Sequence, residues 1–330
     1  MKPPYEITSK VLNLCVDISR QVGKCDGVKF SRPSPELRRH NRIRSIQSSL
    51  AIEGNTLSES QITDILNGKR IIGPAKDIVE VKNAIKAYDK LKEYDVYSLK
   101  SFLGAHEILM NGLMKDSGKF RSQGVGVVQG KKIIHMAPKH PMVFGLMKEL
   151  FSYLKKETDV HLLIRSSVFH YEMEFIHPFS DGNGRMGRLW QTAIICKFHP
   201  VFEFIPVEAL IKKRQREYYK TLEMSNKRGN STVFIEFMLE AIKEAIEEFV
   251  GEIKGIVDTP RTRLDRAKQY FGAKEFSRID YLKFHKTVSA PTASRDLLLG
   301  VKEKVLSKTG KKALTKYVFI HASVNRRGVL

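Results

Sequence analysis

His177, Asp181, Asn183, Arg185 and Arg188 all lie in the segment His177-Pro178-Phe179-Ser180-Asp181-Gly182-Asn183-Gly184-Arg185-Met186-Gly187-Arg188. An imidazole, a carboxylate, an amide and two guanidiniums are thus interleaved with glycines. A packed core has no use for that mixture. A phosphate chain held beside a metal ion and a proton acceptor needs every part of it. Gly182 and Gly184 permit positive φ and close approach, so successive N–H groups can converge on an anion. Asp181 offers a hard oxygen of the kind Mg²⁺ takes alongside substrate phosphates. His177 can act as a base near neutral pH. A glycine-rich turn with surface arginines and a core histidine would explain any one of these residues, but not the combination. No Gly-x-x-x-x-Gly-Lys-Ser/Thr stretch occurs, so a Walker-type loop is excluded.

The flanking patterns say what positions these groups. Leu162, Leu163, Val168, Phe169, Met173 and Ile176 recur at helical spacing, which predicts a buried helix over about 160–176 that Pro178 ends. Leu189, Trp190, Ala193 and Ile194 mark a second helix from Arg185 to Lys197. The segment is therefore a loop ending at a helix N-terminus, where the helix dipole favours an anion. Arg185 and Arg188 share a face near that first turn, where a cation opposes the dipole, so the pair implies an anion between them. Further upstream, Ser34-Pro35 reads as a helix start. An apolar stripe runs through Leu37, Ile43, Ile46, Leu50 and Ile52, and Gly54-Asn55 ends the helix. Glu53 falls in its last turn, where a negative charge opposes the dipole and calls for a cationic partner. Ser49 lies on the same face, four residues earlier. Between Arg121 and Pro138, Val125, Gly126, Val127, Val128, Ile133 and His135 flank Gln129-Gly130-Lys131-Lys132, which predicts a short β-hairpin with an exposed edge. Helices are also expected over Val11–Arg20, Pro74–Lys92 and Leu99–Met114. His106 and Glu107 on the last of these read as structural.

The pattern His-Pro-Phe-x-Asp-Gly-Asn-Gly-Arg-x-x-Arg resembles the signature of Fic-domain proteins at every specified position. The resemblance implies an all-helical core with a small β-hairpin flap, and transfer of AMP from ATP to a protein hydroxyl. It implies that His177 deprotonates the target and that Asp181 holds Mg²⁺ on the phosphates. By the same resemblance, Asn183 and the Gly182/Gly184 backbone grip the phosphates, and Arg185 and Arg188 neutralise the β/γ end. Phe179 would anchor the loop in the core. Ser49-Leu50-Ala51-Ile52-Glu53-Gly54-Asn55 resembles the family's inhibitory motif, which implies that Glu53 reaches Arg188 and fills the γ-phosphate space. Residues Val125, Gly126, Val127 and Val128 would then align the target. A homodimer is expected from the resemblance, and self-modification is the simplest target to examine.

The chain of 330 residues has a net charge of +21. Residues 261–330 carry 17 lysines and arginines against 5 acidic residues, a net +12 of the chain's +21. Helix starts at Ser277 and Ala290-Pro291-Thr292, then strands at Val305-Leu306-Ser307 and Tyr317–Ile320, give the winged helix-turn-helix plan. Thr292-Ala293-Ser294-Arg295-Asp296-Leu297 resembles winged-helix recognition helices, so DNA contact would fall on Thr292, Ser294 and Arg295. Docking of protein is an equal reading, because charge alone indicates affinity for polyanions. No run approaches the roughly 20 apolar residues of a membrane span, and no secretory signal opens the chain. Cys15, Cys25 and Cys196 make no metal spacing and suit a reducing cytoplasm.

The expected fold is thus mainly α. It comprises an N-terminal helical region over 1–97 with the inhibitory helix at about 35–54, a core over 98–228, a connector helix over 229–258 and a winged helix over 259–330. The expected activity is that of a Mg²⁺- and ATP-dependent protein adenylyltransferase restrained by Glu53. Two alternatives stand: a DNA-binding regulator whose core senses nucleotide, and an enzyme that removes AMP with the same site. UTP or another donor is equally compatible with a motif that binds phosphates.

Overall fold

The structure is a computed structural model that describes residues 2–27, 34–124, 126–129, 132–255, 259–285, 288–310 and 314–320. It comprises two compact units, Met1–Gly251 and Glu252–Leu330. The first contains α1 (Ser9–Gly27), α2 (Pro35–Ile52), α3 (Glu59–Leu66), α4 (Ala75–Asp89) and α5 (Leu99–Leu109). A hairpin of β1 (Gly126–Gln129) and β2 (Lys132–Met136) follows. After it come α6 (His140–Lys156), α7 (Leu162–Ile176), α8 (Asn183–Phe198), a 3₁₀ turn (Pro200–Phe204), α9 (Val207–Lys213), α10 (Gln215–Arg228) and α11 (Thr232–Gly255), whose last four residues fall in the second unit. Among the described residues, no helix is long and apolar enough to cross a membrane.

Helices α7 and α8 form the centre, and most side chains of both are buried. Their sequences explain this, since apolar and small residues occupy all sides rather than one stripe. Phe102 of α5 packs on Phe151, Phe169, Phe179 and Trp190, with ring centroids 5.5, 6.2, 5.4 and 5.1 Å away. Phe179 is 0% exposed, so the loop between α7 and α8 is pinned to the core by its own aromatic. Burying such a ring contributes about 1.5–3 kcal/mol.

Helix α2 starts as its sequence predicts: the Ser34 side chain accepts from the Leu37 N–H and Pro35 takes the first position. It is fixed to its neighbours by buried polar contacts. The Glu208 carboxylate of α9 accepts from Ser45 of α2 at 3.0 Å, and from Tyr88 of α4 and Thr192 of α8 at 2.9 Å each. Asn41 donates to the Phe204 carbonyl at 3.1 Å. These bonds seat α2 on the α8 side of the bundle, which sets where its C-terminal end lies.

The β1–β2 hairpin is antiparallel, pairs Gly126 with Met136, and is irregular between Val127 and Val128. The second unit contains α12 (Pro260–Phe271), α13 (Arg278–Phe284), α14 (Ala290–Lys302), β3 (Leu306–Thr309) and β4 (Lys316–Phe319). Strands β3 and β4 are antiparallel, and Phe276 forms an isolated bridge to Tyr317. Leu264, Ala267, Phe276, Tyr281, Ala293, Leu297, Leu306 and Phe319 make its core. Arg263 and Asp296 form a buried two-pronged pair at 2.6 and 2.7 Å that clamps α12 to α14.

Candidate active site

The loop between α7 and α8 is shaped by backbone strain and held by buried side chains. His177 caps α7 in the left-handed region, at φ 50° and ψ 61°, a conformation that costs a non-glycine residue energy unless its surroundings impose it. Its Nδ1 lies 3.4 Å from the Glu174 carbonyl. With the proton on Nδ1, Nε2 holds the lone pair a base requires. Arg121, which the sequence reading passed over, donates from Nε to the His177 carbonyl at 2.7 Å.

The next residues are tied down in turn. Asn183 closes a reciprocal pair with Phe179: its Nδ2 donates to the Phe179 carbonyl and its Oδ1 accepts the Phe179 N–H, each at 2.9 Å. Its amide thus shapes the loop, and the part left for an anion is its main-chain N–H. This pair also explains why α8 begins at Asn183 rather than at Arg185. Gly182 adopts φ 85°, and a methyl there would strike Met110. His106 is more than a filler of the core. It stacks on Phe179 at 3.6 Å, accepts the Gly118 N–H at Nδ1, and so carries its proton on Nε2, which donates to the Asp181 carbonyl at 3.0 Å. Burial lowers its pKa to about 4, against the pull of the Asp181 carbonyl. Asp181 itself projects outward, with its side chain 57% exposed. Its Oδ1 accepts from the Gly182 N–H at 2.6 Å and from Arg185 at 3.0 Å.

The two arginines have separate partners. Arg185 is 4% exposed and bonds Glu80 of α4 at 2.9 Å. Glu80 also accepts from Asn55 at 2.8 Å, so the residue after Gly54 is coupled to the motif through α4. Glu80 was missed in the sequence; its signal is a carboxylate on the buried face of α4 beside Val81 and Ala84. Arg188 is 2% exposed. Its Nε donates to Ser49 Oγ at 3.1 Å, and its NH2 donates to the Ser49 carbonyl at 2.9 Å and to Glu53 Oε1 at 2.7 Å. Burial, the largest single influence, depresses the Arg188 pKa, but the Glu53 carboxylate together with Tyr218 and Glu174 overcomes it and the pKa is raised. Glu53 follows α2 directly as its C-cap. Its carboxylate lies so close to Gly184 that a methyl at that position would collide with it. The structure thus brings Ser49, Glu53, Gly184 and Arg188 together at the N-terminus of α8.

Glu174, one turn before His177, also faces this cluster. Gly187 lets it approach, since a methyl on Gly187 would lie 2.7 Å from Glu174 Oε1. That oxygen has no hydrogen-bond partner among the described residues. Burial raises the Glu174 pKa to about 8, with Arg188 opposing and Glu53 adding. A carboxyl that binds its proton more tightly when folded stabilises at low pH, and that stability is lost as pH rises from 4.5 through about 8. The trend is opposite for His106 and His170, whose burial lowers their pKa values to about 4 and about 3. Their neutral folded forms lose stability as pH falls below 6.5. Glu174→Gln, which cannot ionise, isolates the first effect: the melting midpoint of the unaltered chain should drop relative to it between pH 4.5 and about 8. Parallel curves over that window would contradict a neutral Glu174.

Of the predicted docking strand, Val125 lies outside the described residues, and Gly126, Val127 and Val128 form the backbone of β1. In the second unit, Thr292 and Ser294 are half-buried and Arg295 is exposed. The Thr292 hydroxyl bonds Ser289 at 2.9 Å, and Ser294 accepts from Arg278 at 3.1 Å. Arg295 is therefore the one of the three that presents its side chain to solvent.

A helical core with a phosphate-type loop at a central helix N-terminus defines a class. Residues 96–195 match the family model described as Fic/DOC family. A solved Fic family protein from Desulfovibrio desulfuricans G20 has a TM-score of 0.76 and 38% identity, over 98% of this chain and 99% of that one. The chain belongs to the Fic family. Among its relatives, protein adenylyltransferase fic-1 of Caenorhabditis elegans is 29% identical over 63% of this chain and 41% of the relative. Protein adenylyltransferase Fic of Nematostella vectensis is 27% identical over 67% of this chain and 53% of the relative. The chain therefore spans about two fifths to one half of the length of these relatives. A solved part of Fic-1 from C. elegans shares the fold, with a TM-score of 0.59.

Proposed function

We propose that this chain transfers AMP from ATP to a Ser, Thr or Tyr hydroxyl of a protein, itself included, and that Glu53 restrains it. One observation carries the reading. The Glu53 carboxylate pairs with the buried Arg188 at 2.7 Å, against Gly184, where the α8 dipole and two arginines favour an anion. A site built for a phosphate already holds an anion of the chain's own. The names of the two relatives above point to the same activity.

In this reading His177 Nε2 takes the proton from the target hydroxyl. The hydroxyl oxygen attacks the α-phosphorus, and a new P–O bond forms. The bond from the α-phosphorus to the bridging oxygen breaks, and pyrophosphate leaves with the electron pair. Arg188 and the α8 N-terminus hold the departing phosphates by charge. Asp181 suits Mg²⁺: it is a single exposed carboxylate whose Oδ2 accepts no hydrogen bond among the described residues, and Mg²⁺ takes few protein carboxylates beside substrate phosphates. When bound, the ion would offset phosphate charge. Labelled ATP incubated with the unaltered chain and with Glu53→Gly tests the reading. Release of AMP from a modified protein, without incorporation, would reverse the direction.

For the second unit we propose a winged helix that binds duplex DNA through α14. This rests on three helices followed by the β3–β4 hairpin, on the exposed Arg295, and on the charge of residues 261–330. Random duplex is expected to bind at low salt and to lose at least about tenfold in affinity on a fourfold rise in salt, as counterion release requires. No binding at low salt would leave protein docking as its role. The homodimer belongs to the same proposal and rests on the resemblance alone.

A further inference from the structure

We propose that Arg121 is a positioning residue that ties the seating of the β1–β2 hairpin to the orientation of His177; this rests on the transferase reading above. Arg121 is 3% exposed. Among the described residues no carboxylate pairs with it. Its whole guanidinium is given to main-chain carbonyls instead. Nε donates to His177 at 2.7 Å, NH1 to Gln123 at 2.7 Å, and NH2 to Pro138 at 2.6 Å and Ile176 at 3.3 Å. Its own N–H donates to the Pro178 carbonyl at 3.0 Å.

The acceptors fall into two sets. Ile176, His177 and Pro178 are the end of α7 and the start of the motif loop. Gln123 and Pro138 bracket the hairpin, one before β1 and the other after β2. One rigid fork therefore joins both feet of the hairpin to the carbonyl of the strained His177. A helix that needs only an end takes a glycine in the left-handed position. Here a histidine stands there, and Arg121 supplies an acceptor-side anchor that a strained residue requires. The phosphate side of the site is held by other groups: His106 on the Asp181 carbonyl, Glu80 on Arg185 and Ser49 on Arg188. Arg121 thus acts on the proton-accepting half and leaves the phosphate-holding half to its own supports.

The test is Arg121→Lys, which keeps the charge but not the fork. In the Glu53→Gly background, incorporation of label from α-labelled ATP should show kcat about 100-fold lower, since a shift of about 1 Å at a reacting group costs that much. The KM for ATP should stay within about twofold. A kcat equal to the parent's, or a loss confined to the KM for ATP, overturns the proposal. Histidine ring resonances give a readout that needs no activity. In Arg121→Lys the His177 signal, assigned through His177→Ala, should shift while those of His106 and His170 stay. An unmoved His177 signal refutes the role of Arg121. If Glu53→Gly transfers no AMP, the transferase reading fails and the resonances still decide this one. Should Arg121→Lys not fold, the unaltered chain serves: its Arg121 Nε–H should exchange slowly, and free exchange overturns the proposal.

Discussion

Glu53→Gly is expected to incorporate AMP from ATP at least about tenfold faster than the unaltered chain. The reason is competition for one guanidinium. Arg188 is 2% exposed and bonds Glu53 at 2.7 Å, so a γ-phosphate cannot take that place until the carboxylate leaves. Each tenfold in occupancy corresponds to about 1.4 kcal/mol, a modest fraction of what a close pair with a buried arginine can supply. The same variant should be less stable without nucleotide, because among the described residues Arg188 then keeps only Ser49 as a hydrogen-bond partner. ATP should restore the lost melting temperature, since a ligand that binds the folded state stabilises it in proportion to the logarithm of its excess over Kd. A variant that is destabilised but gains neither rate nor nucleotide response would mean that Glu53 is a structural cap.

His177→Ala in the Glu53→Gly background is expected to lower AMP incorporation by roughly 10²–10⁴-fold, the usual contribution of a positioned general base. ATP affinity should change little, because Arg185 and Arg188 are held by Glu80 and Ser49 rather than by His177. Alanine at a left-handed position also carries strain, so the melting temperature must be measured beside the rate. Binding of ATP at the parent affinity with transfer lost is the expected pair of results. Transfer at the parent rate would remove His177 from the role of base.

The sequence reads well where spacing and side-chain chemistry agree. The loop between two helices, the cap at Ser34 and the Ser49/Glu53 face are all legible, because each depends on residues a few positions apart. The contact between Glu53 and Arg188 spans far more of the chain and is reached only through the resemblance of both motifs. Arg121, Glu80 and Glu174 are not legible in this way. Arg121 binds main-chain carbonyls, which every sequence has and none advertises. Glu80 and Glu174 gain their meaning from burial against α8, set by helix packing rather than by local pattern. His106 is read as structural from its place on an apolar face, yet its ring fixes the Asp181 carbonyl and its stacking fixes Phe179. The strands near residues 306–309 and 316–319 alternate poorly in sequence and are set by the partner strand and by Phe276.

The central claim is that this site moves the α-phosphoryl group of ATP, with its nucleoside, onto protein. Glu53→Gly incubated in parallel with ATP labelled in the α-phosphate and ATP labelled in the γ-phosphate tests it most directly. Covalent label on protein from the α position and none from the γ position is the predicted result. Label from the γ position, or none from either, would contradict it.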